Sequence, residues 1–228
     1  RGGGEPTPDL RSTPSPGVVE SHADKRTIFS GTAERAVPGD RVTHDEQRGV
    51  SLRTVEPEDA QFLQQSHTRL EVRVPLGSQI SAVHELRDRI ESDDTDDGFV
   101  VCGGDTGTPP PDPDEVTRVG LVTVTDADWR RPELGYWLVP EHHGEGNGKA
   151  AVGLLVDWVF RTYDHPPVGA VAYAFNDASR GLLESLGFER EGTIRRDRFV
   201  DGEYVNRVHY GLLREDWWDG HPRSWRES

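Results

Sequence analysis

The chain has 228 residues, enough for one domain of ordinary size with a single hydrophobic core, plus tails. Apolar residues make up 33% of it, against roughly 45–50% for a soluble domain on a slightly wider count, so part of the sequence is expected to stay outside any core. Its 41 acidic and 26 basic residues leave a net charge of −15, with Lys25 and Lys149 the only lysines, which excludes the phosphate-neutralising surface of a nucleic-acid binder. No run approaches the ~20 apolar residues of a membrane helix: the best, Ala150 to Phe160, is broken by Asp157. The N-terminus lacks the charged-then-apolar pattern of a signal peptide. Cys102 is the only cysteine, which rules out an intrachain disulfide or a cysteine-cluster metal site and points to a reducing, cytoplasmic location.

From Arg1 to about Arg48 the sequence is rich in Gly, Pro, Ser, Thr and charge and shows neither a 2.0 nor a 3.6 period, so residues 1–48 are read as a disordered tail. The chain has no methionine, even at position 1, and this tail is therefore expected to be trimmed or extended relative to a native start. Pattern begins with VSLRTV (50–55) as a strand, followed by EPEDAQFLQQSHTRLEV (56–72) as a helix opened by acidic residues. Ile80, Val83, Leu86 and Ile90 form a narrow stripe that predicts a second helix between Ser78 and Ile90. FVVCGG (99–104) reads as a strand that buries Cys102 as a structural thiol. The three successive prolines after it remove amide donors and make 103–116 an exposed loop. TRVGLVTVTDADW and ELGYWLVP alternate as two antiparallel strands within 117–139.

A glycine-rich turn and a helix apolar on most sides, VGLLVDWVF, come next. VGAVAYAF (168–175) is a buried strand, and Asn176 or Asp177 caps a helix that ends at Gly187 with Phe188 packed beyond. FEREGTIRRDRFVDGEYVNRVHYGLLREDW closes the domain as two long strands turning at Asp201–Gly202. Trp217, Trp218 and Trp225 are expected to cover the sheet or to enter a subunit contact, core packing being preferred. The domain is thus 49–218, with 219–228 a C-terminal tail.

The turn His143-Gly144-Glu145-Gly146-Asn147-Gly148 lies between a strand and a helix, where free amides and the helix dipole favour an anion. Spacing eliminates two phosphate motifs. Counting back from Gly148–Lys149 puts His143 where a Walker loop needs its first glycine and Ala150 where it needs a hydroxyl. A dinucleotide fingerprint fails because Gly144, Gly146 and Gly148 bring the third glycine one residue early. The adjacent His142 and His143 project differently and lack a third ligand at fixed spacing, so no metal is expected.

The spacing does fit [RQ]-x-x-G-x-[GA], here His143-x-x-Gly146-x-Gly148, the pyrophosphate loop of the GNAT N-acetyltransferases. ELGYWLVPEHHGEGNGKAA, then N-x-x-S before LGF and the closing EG…R…G.Y…Y.LL..DW, resembles the RimJ/RimL-type branch over about residues 50–218. The acidic, lysine-poor composition further resembles that of proteins from extreme halophiles, whose charge is screened in molar salt. The resemblance implies a mixed α/β (α+β) fold with a central, mostly antiparallel sheet flanked by helices and splayed between two central strands.

Acetyl-CoA, as cosubstrate, would lie in that cleft, its pantetheine paired with the backbone near Leu138 and Val139 and its pyrophosphate on the amides of His143, Gly144, Glu145, Gly146, Asn147 and Gly148. Asn176 would reach the pantetheine or a water, or serve as a plain helix N-cap; Ser179 would hydrogen-bond the sulfur, or be an ordinary first-turn serine. Glu133 is the candidate base for the attacking ammonium, sharing a face with Gly135 and Trp137; the alternative is a solvated strand-end carboxylate. Two departures stand out: His143 replaces the usual Gln or Arg, and Leu183 stands where many members carry a tyrosine that protonates the thiolate. The implied activity is acetyl transfer to a primary amine, of a protein N-terminus or of a small molecule such as a polyamine, aminoglycoside or amino acid. A non-catalytic CoA-binding module is the rival, and the state is monomer or homodimer.

Overall fold

Strand pairing begins earlier than the composition of the N-terminal segment suggests. In the computed structural model, which describes residues 41–92, 98–104, 117–127 and 130–221, Arg41–Asp45 (β1) pairs antiparallel with Val50–Thr54 (β2). Five residues are too few to display a period, and the partner that makes RVTHD a strand lies beyond the glycine turn at Gly49 (φ +63°). The stretch read as tail up to residue 48 is corrected accordingly; residues 1–40 lie outside the described residues.

The single helix expected over 56–72 is broken. After a 3-10 turn at Pro57–Asp59, Ala60–Thr68 forms α1, Arg69 is extended (φ −79°, ψ 129°), and Leu70–Leu76 forms α2. Pro75 lacks the amide to extend the ladder and Gly77 closes α2 in the left-handed region (φ +61°). A Cβ at Gly77 would overlap the Tyr173 hydroxyl, so the turn also allows a close approach. Val83–Glu91 (α3) starts five residues later than the stripe predicts, where the Glu85 carboxylate accepts from the Ala82 amide at 2.9 Å. Leu86 and Ile90 of that stripe pack inward, while Ile80 lies outside the helix and is exposed.

Gly98–Gly103 (β3), Thr117–Thr125 (β4) and Glu133–Leu138 (β5) follow as an antiparallel run, with Cys102 buried as expected. The proline loop lies, from residue 105 to 116, outside the described residues. Asn147–Thr162 (α4), Pro167–Tyr173 (β6), Asp177–Ser185 (α5), Glu189–Val200 (β7) and Glu203–Leu213 (β8) come in the order read from the sequence. Asp201 (φ 48°) and Gly202 (φ 89°) make the β7–β8 turn, two positive-φ residues whose twist suits a hairpin. Arg214–Gly220 is helical (α6) rather than the end of a strand, and it buries Trp217 in the core; Trp225 is outside the described residues.

Among the described residues the strands form one sheet in the order β1-β2-β3-β4-β5-β6-β8-β7, antiparallel except for β5 with β6. Strand alternation sends Val50, Leu52, Phe99, Val101 and Leu134 to one face, under α4, which buries Ala151, Val152, Leu155, Val156, Val159 and Phe160 there. Burial of each such aliphatic side chain stabilises by about 1.5–3 kcal/mol, so α4 is the main anchor of that face. Trp137, with Leu63, Val72, Leu86 and Ile90, forms a separate cluster under α1–α3 on the other face. The two helical layers therefore meet the sheet from opposite sides, and a gap in the sheet joins them.

Candidate active site

That gap lies between the two parallel strands. Their register is limited to Glu133↔Gly169 and Leu134↔Ala170; beyond it β5 stays with β4 through Leu138 and β6 stays with β8 through Tyr173. Arg131 pins the closed end, donating to both Glu191 carboxylate oxygens at 2.8 Å and to the Tyr210 carbonyl at 2.7 Å. It lies against Gly169, where a Cβ would come within 2.6 Å of the guanidinium, so a side chain there would dislodge the pin.

Backbone polarity in the gap follows from the ladder. Gly169 donates to the Pro132 carbonyl and Val139 donates to the Val119 carbonyl at 2.8 Å, so odd positions of β5 face β4 and even positions face β6. Past Leu134 the main-chain groups of Tyr136 and Leu138 therefore point into the opening. Val139 is placed differently: its amide donates to the Val119 carbonyl and its carbonyl accepts from the His142 amide at 3.0 Å. The Leu138 carbonyl is also engaged, by the His143 ring, whose Nε2–H donates to it at 2.9 Å. His143 is thus a brace between β5 and the loop through its side chain.

The opening is a cavity of about 630 Å³, within the range of small-ligand sites. Its first half is lined by Leu138, His143, Gly144, Gly146, Gly148, Lys149, Asn176, Ser179 and Leu182. Gly144 (φ +80°) and Gly146 (φ +85°) need the left-handed conformation that glycine adopts freely. The first α4 bond runs from Ala150 N–H to the Gly146 carbonyl, which leaves the amides of Asn147, Gly148 and Lys149 without intrahelical acceptors at the positive end of a 16-residue helix. Gly148 permits contact with α5, since a Cβ there would sit 2.9 Å from Leu182 Cδ1. Arg48, from the β1–β2 turn, lies so close over Gly146 that a Cβ would overlap its guanidinium, which puts a cation against the loop. These residues fit an anionic, amide-bearing ligand such as the phosphopantetheine of acetyl-CoA. The Glu145 and Asn147 side chains do not line the cavity; Asn147 Nδ2 donates to Glu145 Oε2 at 3.2 Å.

Asn176 is the α5 N-cap, its Oδ1 accepting from Ser179 N–H at 3.1 Å, and it also lines the cavity. Ser179 Oγ is 2.7 Å from the Tyr136 hydroxyl, a phenol whose burial pushes its pKa up to about 12. Leu183, one turn further along α5, is fully buried in the core.

The second half of the cavity faces the other helical layer. It is lined by Glu71, Val72, Pro75 and Leu76 of α2 together with Glu133, Trp137, Tyr173 and Arg207; Arg207 is ion-paired with Asp197. The sequence reading identified Glu133 here but missed Tyr136, Arg48 and the α2 wall. Tyr136 was detectable as the alternate position in ELGYWL, whereas Arg48 and Glu71 carry no local motif. Outside the cavity lining, Arg69 donates to both oxygens of Glu141 at 2.8 and 2.7 Å; that hydrogen bonding lowers the Glu141 pKa to about 2.

Residues 50–189 match the acetyltransferase (GNAT) domain, well over half of the chain. The chain belongs to the GNAT acetyltransferase family. Among curated relatives it is 30% identical over 100 residues to an uncharacterized prophage-derived N-acetyltransferase of Bacillus subtilis, YokL, covering 43% of this chain and 56% of that protein. Two further Bacillus subtilis relatives are covered to 55% and 48%, so the chain spans about half the length of these matched relatives. In fold it is similar to the Vibrio cholerae spermidine N-acetyltransferase solved with CoA and spermine, with a TM-score of 0.64, 19% identity, and 74% and 98% of the two chains covered. The ribosomal-protein-S5-alanine acetyltransferase of Vibrio fischeri gives a TM-score of 0.63 at 19% identity, covering 78% and 98%. Among the described residues no helix is long and apolar enough to cross a membrane, and no group of three or more His, Cys, Asp or Glu is placed to hold a metal ion.

Proposed function

We propose that the protein transfers the acetyl group of acetyl-CoA to a primary amine by direct attack in a ternary complex. The observation that carries this reading is the gap between β5 and β6, where the main chain of Tyr136 and the N–H of Leu138 face the opening without a strand partner, with an amide-rich glycine loop at one end and carboxylates at the other. Acetyl-CoA lies along the first half, its pantetheine amides meeting β5 and its pyrophosphate the loop. The acceptor enters from the α2 side. Holding amine and thioester in one cleft supplies much of the rate, since a bimolecular encounter becomes an intramolecular one. Glu133 takes the ammonium proton, the amine nitrogen bonds to the carbonyl carbon, and the C–S bond breaks with its electron pair leaving on sulfur beside Ser179.

Glu71 and Glu133 on the acceptor side favour a cationic amine. The acceptor is either a protein N-terminus of ribosomal type or a small polyamine-like molecule; proteins of the same fold at 19% identity carry names of each kind. The deciding experiment measures thiol release from acetyl-CoA at low and molar KCl with pooled N-terminal peptides, polyamines and aminoglycosides, then identifies acetylated products by mass spectrometry. Thiol release with a matching acetylated amine supports the reading and names the acceptor class. Binding of acetyl-CoA with no release from any pool would indicate a CoA-binding module instead.

A further inference from the structure

The α5 helix carries no phenol of its own facing the cofactor, because the position one turn after Ser179 is Leu183 and is sealed in the core. A phenol nevertheless reaches Ser179 from a different element. Alternation along β5 puts Leu134, Tyr136 and Leu138 on the α4–α5 face, opposite Glu133 and Trp137. From there the Tyr136 hydroxyl reaches Ser179 Oγ at 2.7 Å and the Ser179 carbonyl at 3.1 Å, and both residues line the cavity.

The proton inventory of this pair is restrictive. Tyr136 has one O–H and can serve only one strong acceptor at a time. When it donates to the Ser179 carbonyl, the serine hydroxyl can turn its own proton back to the phenol oxygen and offers nothing to the cavity. When it donates to Ser179 Oγ, the serine proton is directed elsewhere, and the cavity is the open direction. The Ser179 main chain is held independently by its amide bond to Asn176 Oδ1 at 3.1 Å, so switching between these states needs only hydroxyl rotation.

We propose that Tyr136 is a positioning residue for acetyl transfer: its O–H donates to Ser179 Oγ and turns the Ser179 O–H toward the sulfur of the bound thioester, stabilising the departing thiolate. The inference rests on the acetyl-CoA reading of the cleft. As the C–S bond breaks, the electron pair stays on sulfur, the Ser179 hydroxyl hydrogen-bonds to it, and the thiolate takes a proton from solvent after release. No proton leaves Tyr136, in keeping with a buried phenol that ionises only near 12, far above an ordinary thiol at about 8.5.

The test uses CoA itself, bound to the full chain, and needs no acceptor. Thiolate absorbance of bound CoA is titrated between about pH 6 and 9.5, around the ordinary thiol value near 8.5. The wild-type protein is expected to lower the thiol pKa. Tyr136→Phe and Ser179→Ala should each return it toward the free value by about one unit, equivalent to a tenfold loss of thiolate stabilisation. The double variant should go no further than Ser179→Ala. In turnover the same variants should lose about tenfold in kcat with KM for acetyl-CoA unchanged. A merely structural tether would instead lower the melting temperature and raise KM, leaving the bound thiol pKa at its wild-type value; that result, or additive effects in the double variant, overturns the proposal. Failure of CoA to bind the wild-type protein would overturn the acetyl-CoA reading and this inference with it, whereas normal binding with an unshifted wild-type thiol overturns only the inference.

Discussion

The two halves of the cleft are built by different means. The cofactor half is mostly main chain: the amides of a contiguous loop, the first turn of α4, and strand positions left unpaired by the splay. The acceptor half is mostly side chains, brought from α2, β5, β6 and β8 across more than a hundred positions of sequence. Backbone cannot be changed by most substitutions, so the first half tolerates His143 at the loop head. Selectivity in the second half depends on a few replaceable groups.

The largest effect should follow from Gly146→Val, where positive φ and the Arg48 contact both exclude a branched side chain. Isothermal titration should show acetyl-CoA binding weakened by more than about a hundredfold, since the loop amides must move. Retained affinity would break the claim that main chain makes this half. Glu133→Gln should lower kcat about a hundredfold, the usual scale of a lost general base, with the acetyl-CoA dissociation constant unchanged. An unaltered kcat would return Glu133 to the role of a solvated strand end.

Glu71→Gln comes next, with KM for a cationic acceptor raised about three- to tenfold and acetyl-CoA affinity untouched, because a partly solvated charge contributes on the order of 1 kcal/mol. Equal effects on both substrates would mean that the halves are not separable. The smallest effect concerns Glu141, whose pKa is lowered to about 2 by Arg69. A carboxylate depressed in the folded state contributes stability above its unfolded value near 4.5, and this is lost as pH falls toward 2. Glu141→Gln should therefore flatten the acid limb of the melting temperature slightly and leave neutral pH nearly unchanged, as an exposed pair is well screened.

The same contrast explains what the sequence made legible. The order of strands and helices from β3 to β8, the Asp201–Gly202 hairpin and the glycine loop are each written in neighbouring residues, through periodicity or through φ requirements that only certain residues meet. Arg69 turns α1 into α2 without a glycine or proline at the break, and β1 exists only because β2 pairs with it; neither cause is local. Arg48, Glu71 and Arg207 arrive at the site by tertiary placement alone. Tyr136 is an intermediate case: its strand face was readable, and its serine partner 43 positions away was not.

The brace between His143 and Leu138 gives the cleft a reading direction. With one of its two lone pairs taken by the ring, the Leu138 carbonyl is a poorer partner for an incoming chain than the Leu138 N–H, so a ligand that presents an acceptor there is favoured. A ligand threaded the opposite way would bring a donor to a carbonyl already shared with the imidazole.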